Sequence, residues 1–173
     1  MFQNVDVDAL RATIQQASAG GSTRQSVVLE GDWNFEAGEP QFAATLATPK
    51  AGQVTLRADF PPHMGGSGLA PSAVQYCMYG AMACFASTFG LVAALEGVTL
   101  GALHVRSTAD VNFARFFGLG DAPVIEALRW EVEVESDAPQ EELERLLRLA
   151  EERCPATWCL RNPVPVQTSV HRR

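Results

Sequence analysis

Positive charge is scarce in this chain. Against 20 Asp and Glu stand 13 Lys and Arg, a net charge of -7 with a pI of about 4.9. A surface built for phosphates is basic, so nucleic acid is not an expected partner. Metal ligands are equally thin. His63, His104 and His171 are scattered, and none of the cysteine spacings is C-x-x-C, so neither a metal nor another cofactor is expected. The Met1-Phe2-Gln3 opening lacks the charged-then-apolar pattern of an export signal. Four cysteines without such a signal read as thiols rather than a disulfide framework, and the expected compartment is the cytoplasm. There is no internal repeat, low-complexity segment or linker. The 173 residues are therefore expected to form one domain, 1–173, with residues 1–22 as an N-terminal helical extension.

Charge is also missing from Ser72 to Leu95, and the chain is organised around that stretch. Pro71 suits a first helical position and Gly97 suits an exit, which predicts one long helix. Ala73, Cys77, Gly80, Cys84, Ser87 or Thr88 and Leu91 make a stripe of mostly small residues, and Val74, Met78, Met82, Phe85, Phe89 and Val92 a bulkier one. The run is long enough to cross a bilayer, which takes about 20 residues. Gln75, Tyr76, Tyr79, Ser87 and Thr88 within it, and no Lys or Arg cluster beside it, favour a buried central helix and no membrane. The small stripe would let another backbone approach closely.

Residues 5–17 read as a short amphipathic helix, broken at Ala19-Gly20-Gly21-Ser22. Strand-like segments at 24–31, 40–47 and 53–60 with turn residues between them predict an antiparallel meander. Residues 61–68, rich in Pro and Gly, predict an ordered loop without regular structure. Past the long helix, 100–112 and 124–135 alternate as strands, with Leu103, Val105, Ser107 and Ala109 on one side of the first. Phe113, Phe116 and Phe117 lie between them in a loop that a second subunit or a ligand would cover. A second helix is expected to open at a capping box of Asp137 and Gln140 and to end at Cys154, because Pro155 follows. Its acidic face, Glu141, Glu142, Glu144, Glu151 and Glu152, is read as solvated and matched by Arg145 and Arg148. A turn over 156–160, a last strand over 164–170 and a solvated Arg172-Arg173 tail complete an α+β chain.

Cys77 and Cys84 lie one heptad apart, about 10.5 Å along a helix, too far to bridge each other. A buried free cysteine is most often a small hydrophobe. The order of features says more. A Gly-Gly loop leads to a proline and an apolar helix with central Cys84, and then to strands. A helix ending Ala150-Glu151-Glu152-Arg153-Cys154-Pro155 follows, and then a segment led by Asn162-Pro163-Val164-Pro165-Val166. This resembles the OsmC/Ohr family of cysteine-based hydroperoxide reductases, in its broad OsmC-like branch, over about residues 24–171. The resemblance implies an OsmC-like fold with an N-terminal meander, a long central helix and a second sheet with a C-terminal helix, assembled as an intertwined homodimer. It also implies that Cys84 is the peroxidatic and Cys154 the resolving thiol, with an organic hydroperoxide as substrate and an external dithiol as reductant.

An arginine oriented by a glutamate stabilises the thiolate in the peroxidases of this family. Arg57 and Arg24 are the candidates here, and the sequence departs from the family where a carboxylate precedes the Gly-Gly, with Asp59 one position away. Phe60, Met64, Met82 and Phe85 are expected to line an apolar pocket, with His63 as a neighbouring base or cation. Cys77 is most simply packing, and Cys159 is either an inert thiol or a second resolving one. Two other readings stay open: the same fold as a dimeric module binding a small apolar or acyl ligand, and a structural dimer with inert thiols.

Overall fold

The computed structural model describes residues 1–172, and the predicted tail residue Arg173 lies outside them. The chain forms two compact units, one of residues 12–79 and one of residues 1–11 with 80–173. Helix α1 is Val7–Ser18.

In the first unit, β1 (Gly31–Trp33), β2 (Phe42–Thr48) and β3 (Gly52–Ala58) form an antiparallel sheet in the order β1-β2-β3. The register sets Gly31 opposite Ala44, and Arg57 opposite Ala43. The predicted meander is present, but its first strand is only Gly31–Trp33. Residues 24–30 run unpaired, with Val27 and Val28 83% and 76% exposed. Their β-pattern is real, but pairing also needs a neighbour that the described residues do not supply.

The Pro/Gly loop after β3 holds one 3₁₀ turn, Pro62–Met64, closed by Gly65 at φ 86°. Asp59 holds the rest. Its carboxylate is buried, and Oδ2 accepts the N–H of Ser67 at 3.1 Å and of Leu69 at 3.0 Å. Gly66 packs so closely that a Cβ there would lie 1.9 Å from the Phe60 carbonyl oxygen, so only glycine fits.

The second unit is built on α2, Ala73–Glu96, whose last seventeen residues belong to it. The predicted helix is there, but it is not buried along its length. In its most apolar 18-residue window the mean hydropathy is 1.6 and only 28% is buried. Phe85, Phe89, Val92, Ala93 and Ala94 are covered, while Cys77, Tyr79, Gly80 and Ser87 are exposed. The bulky stripe is buried at Phe85, Phe89 and Val92, and the small stripe is exposed at Ala73, Cys77, Gly80, Ser87 and Leu91, with Cys84 half buried between them.

Strands β4 (Ala102–Val111) and β5 (Ile125–Glu135) form an antiparallel ribbon with Val105 opposite Val132. Every second residue faces α2, as the alternation predicts, so Leu103, Val105, Trp130, Val132 and Val134 pack on the buried cluster. Trp130 stacks against Phe85 at 4.8 Å between ring centres, and its indole N–H donates to Ser107 Oγ at 3.0 Å. In the connecting loop Phe113, Phe116 and Phe117 pack on one another, yet Phe116 and Phe117 remain half exposed.

Helix α3, Gln140–Arg153, contributes Leu146 and Ala150 to the core, both fully buried. The predicted capping box does not form. Pro139 takes the N-cap position without a side-chain bond, and the Gln140 amide donates instead to Glu144 Oε1 at 3.0 Å. The helix ends at Cys154 as expected. Residues 156–160 are not a turn, however: Pro155–Arg161 is a further helix, α4. A proline at the first helical position costs no hydrogen bond, so the residue that stops α3 also starts α4. The expected last strand over 164–170 is extended but unpaired among the described residues, with Val166 83% and Val170 95% exposed.

Candidate active site

Cys154 is a joint between two helices. Its N–H donates to the Ala150 carbonyl at 2.9 Å to finish α3, and its carbonyl accepts the Trp158 N–H at 3.0 Å to begin α4. With φ -71° and ψ 119°, it turns its side chain back over the first turn of α4, where Sγ accepts the N–H of Thr157 at 3.5 Å. Cys154 is wholly buried, beside Phe85, Phe89, Leu146 and Ala150.

Cys84 comes from the middle of α2 and is half buried against the same cluster. The two sulfurs lie 3.7 Å apart, 70 positions apart in sequence. That is contact distance for two thiols, and bonding them into a disulfide of about 2.05 Å takes a movement of about 1.7 Å.

The surroundings push the two thiols in opposite directions. Burial raises the pKa of Cys84; the Ala156 N–H opposes that, while the hydrogen bond and charge of Cys154 and the charge of Cys159 add to it. None of these groups is a cation. Burial would also raise Cys154, but the Thr157 hydroxyl and N–H, the Cys84 thiol and the Ala156 N–H together hold it below the ordinary thiol range. The Thr157 hydroxyl is buried and makes no well-formed hydrogen bond, so its influence on the sulfur comes from proximity.

A cleft of about 410 Å³, part apolar and part polar, opens beside this joint: Phe85, Leu128, Trp130 and Leu160 line it together with Thr157 and the Glu151–Arg161 ion pair. Of the residues expected to line a pocket, Phe85 is in this wall, and Met82 is half buried on α2 outside it. Phe60 lines a separate cleft of about 200 Å³ in the other unit, with Trp33, Phe42 and Asp59. His63, exposed, and Met64, half buried, sit on the 3₁₀ turn of that unit. Arg57 is exposed on β3, and Arg24 is exposed in the unpaired segment before β1. Asp59, the nearest carboxylate to the family position, binds backbone N–H groups through Oδ2. Cys77 and Cys159 are both exposed.

Sequence reading overlooked Thr157. The signal was available: Cys-Pro-x-Thr places proline at the first helical position and a hydroxyl one turn past the cap.

The fold that brings these two cysteines together is matched in known proteins. The OsmC-like protein family profile covers residues 65–169, more than half of the chain. The chain belongs to the OsmC-like family. Its fold matches an OsmC-like protein from Mycoplasma pneumoniae at 20% identity and TM-score 0.60, over 82% of this chain and 91% of that one. It also matches an organic hydroperoxide resistance protein OsmC from Legionella pneumophila at 21% identity and TM-score 0.54, over 80% and 92%. A third match is an organic hydroperoxide resistance protein from Elizabethkingia anophelis, at 17% identity and TM-score 0.52, over 82% and 93%. No curated protein matches the sequence significantly. The apolar helix α2 is thus the central helix of an OsmC-like fold.

Proposed function

We propose that this OsmC-like protein is a thiol peroxidase that reduces organic hydroperoxides through Cys84 and Cys154. The observation that carries the reading is the 3.7 Å approach of two sulfurs from distant parts of the chain. The Cys84 thiolate attacks the terminal oxygen of R–O–O–H, the O–O bond breaks, and RO⁻ leaves to take up a proton, giving Cys84–S–OH and ROH. The Cys154 thiolate then attacks the Cys84 sulfur and displaces hydroxide, which becomes water, leaving a Cys84–Cys154 disulfide. An external dithiol restores both thiols and is itself oxidised to a disulfide. Free thiols of this kind fit a reducing cytoplasm.

The working form is a homodimer in this reading. Supporting it are the open small-residue stripe of α2 and two strand-patterned segments, 24–30 and 164–170, left unpaired within one chain. A second copy would bring an arginine to Cys84, and Arg24 or Arg57 is the source we assign. One equivalent of cumene hydroperoxide, followed by non-reducing peptide mapping, tests the chemistry; Cys84 remaining a free thiol sinks it. The activating arginine is the one whose change to Met moves the Cys84 alkylation midpoint to higher pH.

A second reading is favoured by the raised Cys84 pKa and by the engagement of Asp59 with its own loop. On it the fold is a dimeric module that binds a small apolar or acyl ligand. Native mass spectrometry of gently purified protein would then show a bound molecule, whereas a ligand-free dimer with rapid peroxide turnover removes this reading.

A further inference from the structure

The proposed cycle must end with reduction of a Cys84–Cys154 disulfide, and the two sulfurs of that bond are not equivalent. Thiol–disulfide exchange is directional: the incoming thiolate bonds to one sulfur, and the other leaves as a thiolate. The better leaving group is the sulfur whose anion is more stable, and the better target is the more accessible one. Both criteria select the same arrangement here.

Cys154 is wholly buried, so a reductant has no path to it, whereas Cys84 is partly open. A departing Cys154 thiolate would find donors already in place. The Thr157 N–H points at Sγ from 3.5 Å. The Thr157 hydroxyl, 95% buried and without a partner among the described residues, sits next to the same sulfur. An uncommitted buried hydroxyl costs free energy, and ionisation of Cys154 gives it an acceptor. Among the described residues Cys84 has no comparable pair of donors: besides the Cys154 thiol, the Ala156 N–H reaches it, and that N–H acts on Cys154 as well.

We propose that Thr157 makes Cys154 the leaving thiolate, so that the external dithiol attacks Cys84 and the mixed disulfide forms there. The first thiolate of the dithiol bonds to Cys84 Sγ as the S–S bond breaks, and the electron pair departs on Cys154 Sγ. The second thiolate then attacks the reductant's own sulfur in the mixed disulfide. That releases Cys84 as a thiolate, which takes up a proton, and leaves the reductant as an intramolecular disulfide. Thr157 acts here as a positioning residue, through Cys154. The proposal rests on the Cys84–Cys154 pair of the preceding reading but not on its peroxide chemistry.

The test is arranged to keep the two apart. In a Cys77→Ser, Cys159→Ser background, diamide closes the bridge without any peroxide. A brief pulse of 2-mercaptoethanol, which cannot complete the reduction by cyclising, is quenched in acid with N-ethylmaleimide, and the adduct is located by peptide mass spectrometry. The expected adduct is on Cys84. Thr157→Val should slow reduction of the bridge by dithiothreitol about three- to tenfold, and Thr157→Ser should restore it, because Ser keeps the hydroxyl. Adducts chiefly on Cys154, a Thr157→Val protein reduced at the parent rate, or failure of diamide to join the two cysteines each overturn the proposal. Failure of cumene hydroperoxide alone to form the bridge would count against the peroxidase reading and leave this one standing.

Discussion

Closing the Cys84–Cys154 bridge should stabilise the chain measurably, and the size of the effect follows from where the two sulfurs sit. They are 70 positions apart in sequence, so a bond between them restricts the unfolded chain by a loop of that length. Loop-closure entropy then gives about 4.4 kcal/mol at 25 °C as an upper figure, and measured bridges commonly return about 2–4 kcal/mol. Strain in the folded state should be small, because the sulfurs already touch at 3.7 Å and side-chain rotation covers most of the remaining gap. For a chain of this length each kcal/mol is worth about 2–4 °C, so the oxidised protein should melt roughly 5–15 °C above the reduced one. Differential scanning calorimetry after diamide, with and without a phosphine reductant, reads the shift, and Cys84→Ser should show none. A peptide map confirming the bridge in a protein that melts at or below the reduced temperature would refute the reasoning, because closure would then distort the joint between α3 and α4.

Three further outcomes follow from the same structure. Cys154→Ser removes both the hydrogen bond and the charge through which Cys154 raises the Cys84 pKa; the iodoacetamide alkylation of Cys84 should therefore reach its midpoint at lower pH than in the parent, and a midpoint unchanged or moved upward contradicts the pairing. Leu146→Ala empties a fully buried position between Phe85, Phe89 and Ala150; it should cost about 2–5 kcal/mol in urea unfolding, and a loss under 1 kcal/mol would mean the core lies elsewhere. Asp59→Ala leaves the N–H groups of Ser67 and Leu69 without their acceptor; loop 60–69 should become the first site of limited proteolysis, with a stability loss of about 2–4 kcal/mol, whereas a digestion pattern like the parent's would show that the loop is held by something else.

What could be read from the sequence divides along a physical line. The alternation of Leu103, Val105 and Ser107 against Trp130, Val132 and Val134 was readable because both strands lie close together in one chain and share one buried face. Residues 24–30 and 164–170 carry the same kind of pattern and stay unpaired, because a strand is a relation between two segments and the pattern describes only one. The long helix was legible from its missing charge, but its burial was not. Phe89 and Tyr79 lie in the same apolar run, and only packing separates the covered residue from the exposed one. Pro155 was read correctly as a stop for α3 and missed as a start for α4, which hid Thr157. The pairing of Cys84 with Cys154 came from family resemblance, since no spacing rule joins residues 70 positions apart.

The helix joint also bears on the division of labour between the sulfurs. A single environment cannot serve a thiol that must attack a peroxide and a thiol that must leave a disulfide cleanly. Here the donors favour the second: the Thr157 N–H reaches Cys154 at 3.5 Å with its hydroxyl close by, while Cys84 is given burial, a neighbouring sulfur and the Ala156 N–H. Attack on an O–O bond needs a thiolate at Cys84, and a thiol raised by burial is a poor source of one near neutral pH. On the peroxidase reading Cys84 needs a cation, and with Arg24 or Arg57 supplied by a second copy, catalytic competence becomes a property of the assembled protein. Dilution below the dimer dissociation constant should then abolish the peroxide step and spare reduction of a preformed bridge. A peroxide step that persists undiminished in the dissociated chain would place the activating group within the single chain.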